Sequence, residues 1–183
     1  MENGELTAKD ESGAEWFAVY TRARHEQKVA EQITKLGFKS FLPRFQALSK
    51  RKDRRKLIQS PIFPGYIFAQ VPSNDFNKLL KLPGVVKILG EKGKPAPIPA
   101  EELESVKILL ESESVIEPHP YLRAGDKVKI VSGPLKGAVG WLLRVETSIS
   151  LLVVSVNILN RSIAVELSDE VVEKYWTSYL NLD

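Results

Sequence analysis

This chain of 183 residues has no cysteine, one methionine and two histidines. Without cysteine there is no disulfide and no thiolate metal site, which fits a reducing compartment and points to the cytoplasm. His25 and His119 are far apart in sequence and leave little room for a histidine-based metal cluster. No run of about 18 apolar residues occurs, so no membrane span is expected. The N-terminus, MENGELTAKDESGAE, is polar and acidic and lacks the basic and apolar regions of a signal peptide. No nucleophile–base pair or metal-ligand spacing stands out. Carboxylates gather only at Glu101, Glu102 and Glu104 and near Asp169–Glu170, where a solvated face explains them. The chain is therefore expected to be neither an enzyme nor the holder of a cofactor.

What is present is charge, unevenly spread. Residues 1–15 hold five acids and one base, net −4, and residues 16–100 hold seventeen bases and five acids, net +12. Residues 101–117 hold six acids and one base, net −5, and residues 121–183 balance at seven and seven. Any surface facing a polyanion thus lies within residues 16–100.

Length allows one medium domain or two small ones. Residues 1–15 read as a disordered tail, poor in large apolar side chains. Trp16–Tyr20 (WFAVY) reads as a strand. Val29, Ile33 and Leu36 then fall at helical spacing, with Gly37 as the stop. Lys39–Leu48 resumes as a strand broken by Pro43, and Leu57–Val71 returns as a longer one. Asn74–Leu82 reads as a short helix ended by Pro83-Gly84, and Val85–Leu89 as a strand. Pro99, with Glu101 and Glu102 behind it, opens a helix through Leu110. The order β-α-β-β-α-β-α predicts an α+β fold over residues 16–112, an α/β sandwich of antiparallel sheet and helices. Residues 113–121, with Pro118 and Pro120 around His119, read as a stiff polar linker. Beyond it helical periods vanish. Lys127–Val131, Ala138–Val145, Ser150–Val156 and Arg161–Leu167 read as strands spaced by about ten residues, which predicts a small closed β-barrel over residues 122–176. Strand periodicity in Arg161–Leu167, where Ile163, Val165 and Leu167 alternate with Ser162, Ala164 and Glu166, argues against a helical form of this segment.

The stretch SKRKDRRKLIQSPIFPGYIFAQV, from Ser49 to Val71, sets a cationic run against an apolar, aromatic strand. From Arg44 to Lys56 seven bases (Arg44, Lys50, Arg51, Lys52, Arg54, Arg55, Lys56) face one acid, Asp53. Such charge stays in water or against a polyanion, so the run is either a solvated hairpin tip or a contact for nucleic-acid backbone or an acidic protein surface. Arg22, Arg24 and His25 stand at a helix N-terminus, where backbone N–H groups also favour phosphate. Tyr20, Phe63, Tyr66 and Phe68 form either the core of the first domain or a partly exposed patch. Gly125, Gly133, Gly137 and Gly140 read as turn and close-approach residues. No GK[ST] follows Gly133–Gly140, so this is no phosphate loop.

Two segments resemble one family. Trp16-Phe-Ala-Val-Tyr20 with Phe63-Pro-Gly-Tyr66-Ile-Phe68 is similar to the N-terminal domain of NusG transcription elongation factors. Gly125-Asp-Lys-Val-Lys-Ile-Val-Ser-Gly-Pro-Leu-Lys-Gly137-Ala-Val-Gly140 is similar to their KOW domain. Thr21-Arg-Ala-Arg-His-Glu26 looks like the specialised antitermination branch, RfaH and its relatives, where the housekeeping form usually has a glycine-containing turn. The resemblance implies a monomeric factor that binds RNA polymerase, at its clamp helices, through Tyr20, Phe63, Pro64, Tyr66 and Phe68. It also implies contact with the DNA or RNA of the elongation complex, suppression of pausing or termination, and a KOW barrel that recruits a ribosomal protein or a termination factor. A housekeeping factor and a ribosome-associated RNA-binding protein are the alternatives; a barrel of balanced charge disfavours the second.

Overall fold

The computed structural model describes residues 13–48, 57–112, 114–119, 125–144, 150–167 and 172–174. It is a mixed α/β fold with antiparallel sheets and few helices. Contacts divide the chain into two units. One runs up to Leu103 and includes Val156–Asn160; the other comprises Glu104–Ser155 and the residues from Arg161 on.

In the first unit, strand β1 (Glu15–Thr21) leads into helix α1 (Glu26–Lys35). Strands β2 (Lys39–Phe41), β3 (Arg44–Leu48), β4 (Leu57–Pro61) and β5 (Tyr66–Val71) follow. Helix α2 (Phe76–Leu80), strand β6 (Val85–Ile88) and the two-residue strands β7 (Gly90–Glu91) and β8 (Lys94–Pro95) lead to helix α3 (Ala100–Glu111), of which Ala100–Leu103 belong to this unit and Glu104–Glu111 to the second. The main sheet has the order β2-β5-β1-β6, and β1 pairs antiparallel with β5 from Glu15↔Val71 to Tyr20↔Tyr66. A separate ribbon joins β3 to β4.

Alternation sorts the strands. Phe17, Val19, Ile67, Ala69 and Val71 are buried in one cluster with Val29 and Ile33 of α1 and Leu79 of α2. Each large side chain buried there contributes roughly 1.5–3 kcal/mol. Glu26 in the first turn and Lys35 in the last complement the α1 dipole. Leu36, expected on the buried stripe, is 41% exposed. The helix ends at Lys35, and the Leu36 N–H turns back to the Gln32 and Ile33 carbonyls, so the chain leaves the helical spiral there. Gly37 follows at φ +84°, a left-handed stop that suits glycine.

The second unit holds β9 (Ile116–His119), β10 (Asp126–Ile130), β11 (Val139–Arg144), β12 (Ser150–Val156), β13 (Arg161–Leu167) and β14 (Val172–Lys174). They form one six-stranded sheet in the order β14-β10-β11-β12-β13-β9. Val128, Ile130, Leu152, Val153, Ile163 and Val165 are buried. Residues 150–156 and 161–167 are strands, as their β-branched content and alternation predict.

The strands depart locally from the sequence pattern. The single strand Leu57–Val71 is two strands, because Ile62–Gly65 turn between them and Gly65 sits at φ +84°. Within the span expected as a linker, Ile116–His119 forms a strand that pairs antiparallel with β13, from Val165↔Ile116 to Ser162↔His119. That strand is stabilised by the edge it pairs with, and its own sequence shows little β signal. Strand β14, paired with β10, has no counterpart in the sequence reading.

Gly125, Gly133 and Gly137 lie at positive φ. Gly140 differs: a Cβ there would meet the Val153 carbonyl oxygen at 2.7 Å, across the β11–β12 ladder. Gly140→Ala is therefore expected to push strands apart and destabilise the protein by about 1–3 kcal/mol. Thermal unfolding tests this, and an unchanged midpoint would show that the ladder gives way freely.

Candidate functional site

The turn between β4 and β5, Ile62–Gly65, is held by the end of β1 and the start of α1. The Thr21 N–H donates to the Gly65 carbonyl at 2.8 Å, and Thr21 Oγ1 approaches the same oxygen at 3.4 Å. From the other side the Gly65 N–H donates to Glu26 Oε1 at 2.8 Å. Glu26 is itself buried, an uncommon place for a carboxylate. Gly65 also lets Tyr20 approach, since a Cβ at this position would lie 3.2 Å from Tyr20 Cε2.

Tyr20 and Tyr66 face each other across this clamp. They are direct cross-strand partners, their ring centroids are 5.3 Å apart, and both are half-buried. Pro64 is exposed beside them. Phe63 and Phe68 are placed differently. They are 1% and 0% exposed, Phe68 stacking on Phe41 at 6.1 Å and meeting Phe63 edge-on at 6.0 Å. Their rings are core, so as surface contacts they are withdrawn; they support the turn that presents Tyr66. The aromatic set thus divides into an interior pair and a surface pair.

The loop from β1 to α1 brings Arg22, Arg24 and His25 next to this turn. The Arg22 N–H donates to the Gly84 carbonyl at 2.8 Å, and the His25 N–H to the Arg22 carbonyl at 3.0 Å. Arg22 and Arg24 are exposed, and His25, half-buried, is the residue that begins α1. Its Nδ1 bonds the Ala23 carbonyl at 3.1 Å. A Cβ at Gly84 would meet His25 Cδ2 at 3.0 Å, so this glycine leaves room for the ring. Arg24 holds φ +64°, a left-handed conformation uncommon for a residue with a long side chain. Such strain gathers at functional loops, and no feature of the sequence announces it. Arg44, on β3, reaches Gln27 of α1, which donates in turn to Glu31. Lys50, Arg51, Lys52, Arg54, Arg55 and Lys56 lie outside the described residues. The β3 and β4 strands that lead to them form a ladder from Arg44↔Pro61 to Leu48↔Leu57.

Sequence reasoning missed Glu26. An acidic first-turn residue is commonplace, and only burial shows that it serves the Gly65 amide. Glu26→Ala is expected to leave that N–H without its partner, at a cost of about 1–3 kcal/mol. Glu26→Gln, which keeps an acceptor oxygen, should cost less. Denaturant unfolding of both variants checks this, and equal losses would mean that the hydrogen bond is not what matters.

Among the described residues no group of three or more His, Asp or Glu could hold a metal ion. No helix among them is long and apolar enough to cross a membrane.

The chain has relatives among known proteins. The chain is 28% identical over 181 residues to the transcription termination/antitermination protein NusG of Staphylococcus aureus, spanning 90% of this chain and 98% of that protein. It is 23% identical over 172 residues to the protein of the same name from Helicobacter pylori, spanning 87% and 98%. Both relatives are named as transcription termination/antitermination proteins. Among solved structures, one described as domain interaction in Thermotoga maritima NusG aligns at 26% identity over 88% of this chain and 97% of that one, with a TM-score of 0.47. The MjSpt4:Spt5 complex aligns at 20% identity over 89% and 99%, with a TM-score of 0.29. The sequence model described as transcription termination factor nusG matches residues 14–107, which carry the whole tyrosine and arginine surface. With more than half of its length matched in this way, the chain belongs to the NusG family of transcription termination and antitermination factors.

Proposed function

We propose that this chain binds RNA polymerase through the surface around Tyr20, Pro64 and Tyr66, suppresses pausing or termination, and recruits a second partner through its C-terminal unit. The observation that carries this reading is the half-exposed Tyr20–Tyr66 pair, clamped through Gly65 by Thr21 and the buried Glu26. Aromatic residues held rigidly at a surface are what interface centres use, because little side-chain entropy is lost on binding. A helical element of polymerase would lay an apolar face against them. Arg22 and Arg24, exposed on the adjoining loop, would then meet the DNA or RNA of the elongation complex, with the cationic run of residues 50–56 as a second contact.

The C-terminal sheet is proposed to close as a KOW-type barrel. The glycines at positive φ and the tight approach at Gly140 suit a small, strongly curved sheet. A ribosomal protein or a termination factor is the partner it would recruit. The segment Thr21–Glu26 favours a specialised, RfaH-like antitermination role, and the strained Arg24 is the particular support for a loop that reads a DNA element. A housekeeping role is the alternative, since the relatives are named for termination as well as antitermination. Transcription on a template carrying a terminator, with and without a recruiting DNA element, separates the two. Read-through only with the element supports the specialised role, and read-through regardless of sequence supports the housekeeping one. No binding to polymerase, or none of either effect, would overturn the reading.

A further inference from the structure

Strand β9 creates a feature that the barrel sequence alone does not suggest. Val115, Glu117 and His119 from the β9 segment, Leu151 from β12, and Ala164 and Glu166 from β13 line an open groove of about 220 Å³. The register puts Glu117 directly opposite Ala164, so alternation carries Val115, Glu117 and His119 to one face beside Ala164 and Glu166. The groove has two chemistries. Its apolar part is Val115, Leu151 and Ala164, and Val115 is 79% exposed. Its polar part holds His119, half-buried, and two exposed glutamates, and among the described residues no lysine or arginine lines it. Among the described residues neither Glu117 nor Glu166 belongs to a salt bridge.

We propose that this groove binds an arginine or lysine side chain from a basic segment of a partner protein. Long cationic side chains carry an apolar stem and a charged head, and the groove offers an aliphatic surface for the first and carboxylates for the second. Arginine fits best, because its planar guanidinium can bridge two carboxylates. The size agrees: drug- and cofactor-sized ligands use pockets of roughly 300–1,000 Å³, whereas one side chain needs far less. Nucleic acid is disfavoured by the sign of the charge. Addition of a whole strand along β9 is disfavoured by Pro118, which has no N–H to offer at the sheet edge. The proposal extends the partner-recruitment part of the functional reading by naming the chemistry recognised.

The test needs no polymerase, so its failure would leave the polymerase reading standing. Amide spectra of the full chain are followed during titration with a short arginine- and leucine-containing peptide, and with the same peptide carrying citrulline for arginine. The arginine peptide is expected to shift the signals of Val115, Glu117, Leu151, Ala164 and Glu166 and to bind at least about tenfold more tightly than the citrulline peptide. The Glu117→Gln/Glu166→Gln double variant should erase that difference while keeping a wild-type spectrum elsewhere. Val115→Ser should weaken both peptides, through the stem. Equal binding of the two peptides, shifts confined to other residues, no binding at millimolar peptide, or displacement by a DNA oligonucleotide would each overturn the proposal.

Discussion

Truncating Tyr66 to alanine is expected to weaken polymerase binding by about 2–4 kcal/mol, roughly 30- to 1,000-fold in affinity. Tyr20→Ala should have a similar effect, because the two rings face each other at 5.3 Å across β1 and β5. The double variant should lose less than the sum, since each single change already removes the contact between them. Both tyrosines are half-buried at the end of the sheet, and the core below them rests on Phe63 and Phe68. The variants should therefore keep the wild-type circular dichroism spectrum and unfold cooperatively. Phe68→Ala makes the contrasting control: it removes a fully buried ring and should cost about 3–5 kcal/mol of stability, weakening binding only through loss of fold. Pull-down of polymerase together with thermal unfolding separates the two outcomes. Full affinity in both tyrosine variants would remove this surface from the interface.

A quadruple substitution of Arg51, Lys52, Arg54 and Arg55 by alanine is expected to flatten the salt dependence of DNA binding. Each phosphate neutralised contributes a slope of about 0.9 in log affinity against log salt. Four lost contacts would lower the slope by up to about 3.6. Between 50 and 200 mM salt the wild type would then lose roughly a hundredfold more affinity than the variant. Replacing Arg22 and Arg24 should act otherwise, altering recruitment to a particular sequence more than the slope, because these residues would lie nearer base edges. Fluorescence titration at several salt concentrations measures the first effect, and competition between DNA sequences the second. An unchanged slope in the quadruple variant would remove the cationic run from the nucleic-acid contact.

Much of this protein is determined by local chemistry, which a sequence carries openly. The apolar spacing of Val29 and Ile33 sets α1, Gly37 ends it, and Pro43 separates β2 from β3. Strand periodicity in Arg161–Leu167 sets β13. The concentration of positive charge in residues 16–100, and the two motifs that carry the family resemblance, are also properties of the chain itself. Burial is not. Tyr66 and Phe68 stand two apart on one strand and point to the same face, yet one is half-exposed and the other fully enclosed. Alternation assigns the face, but the cover depends on residues distant in sequence: Phe41 and Phe63 close over Phe68, while Tyr66 ends the sheet opposite Tyr20. The same holds for Glu26, whose role appears only when Gly65, far along the chain, brings its amide to the carboxylate. It holds for Ile116–His119, a strand because β13 offers it an unpaired edge. Side-chain period is a short-range property and survives in the sequence; hydrogen-bond partners and solvent exposure are long-range properties, and only the folded chain decides them.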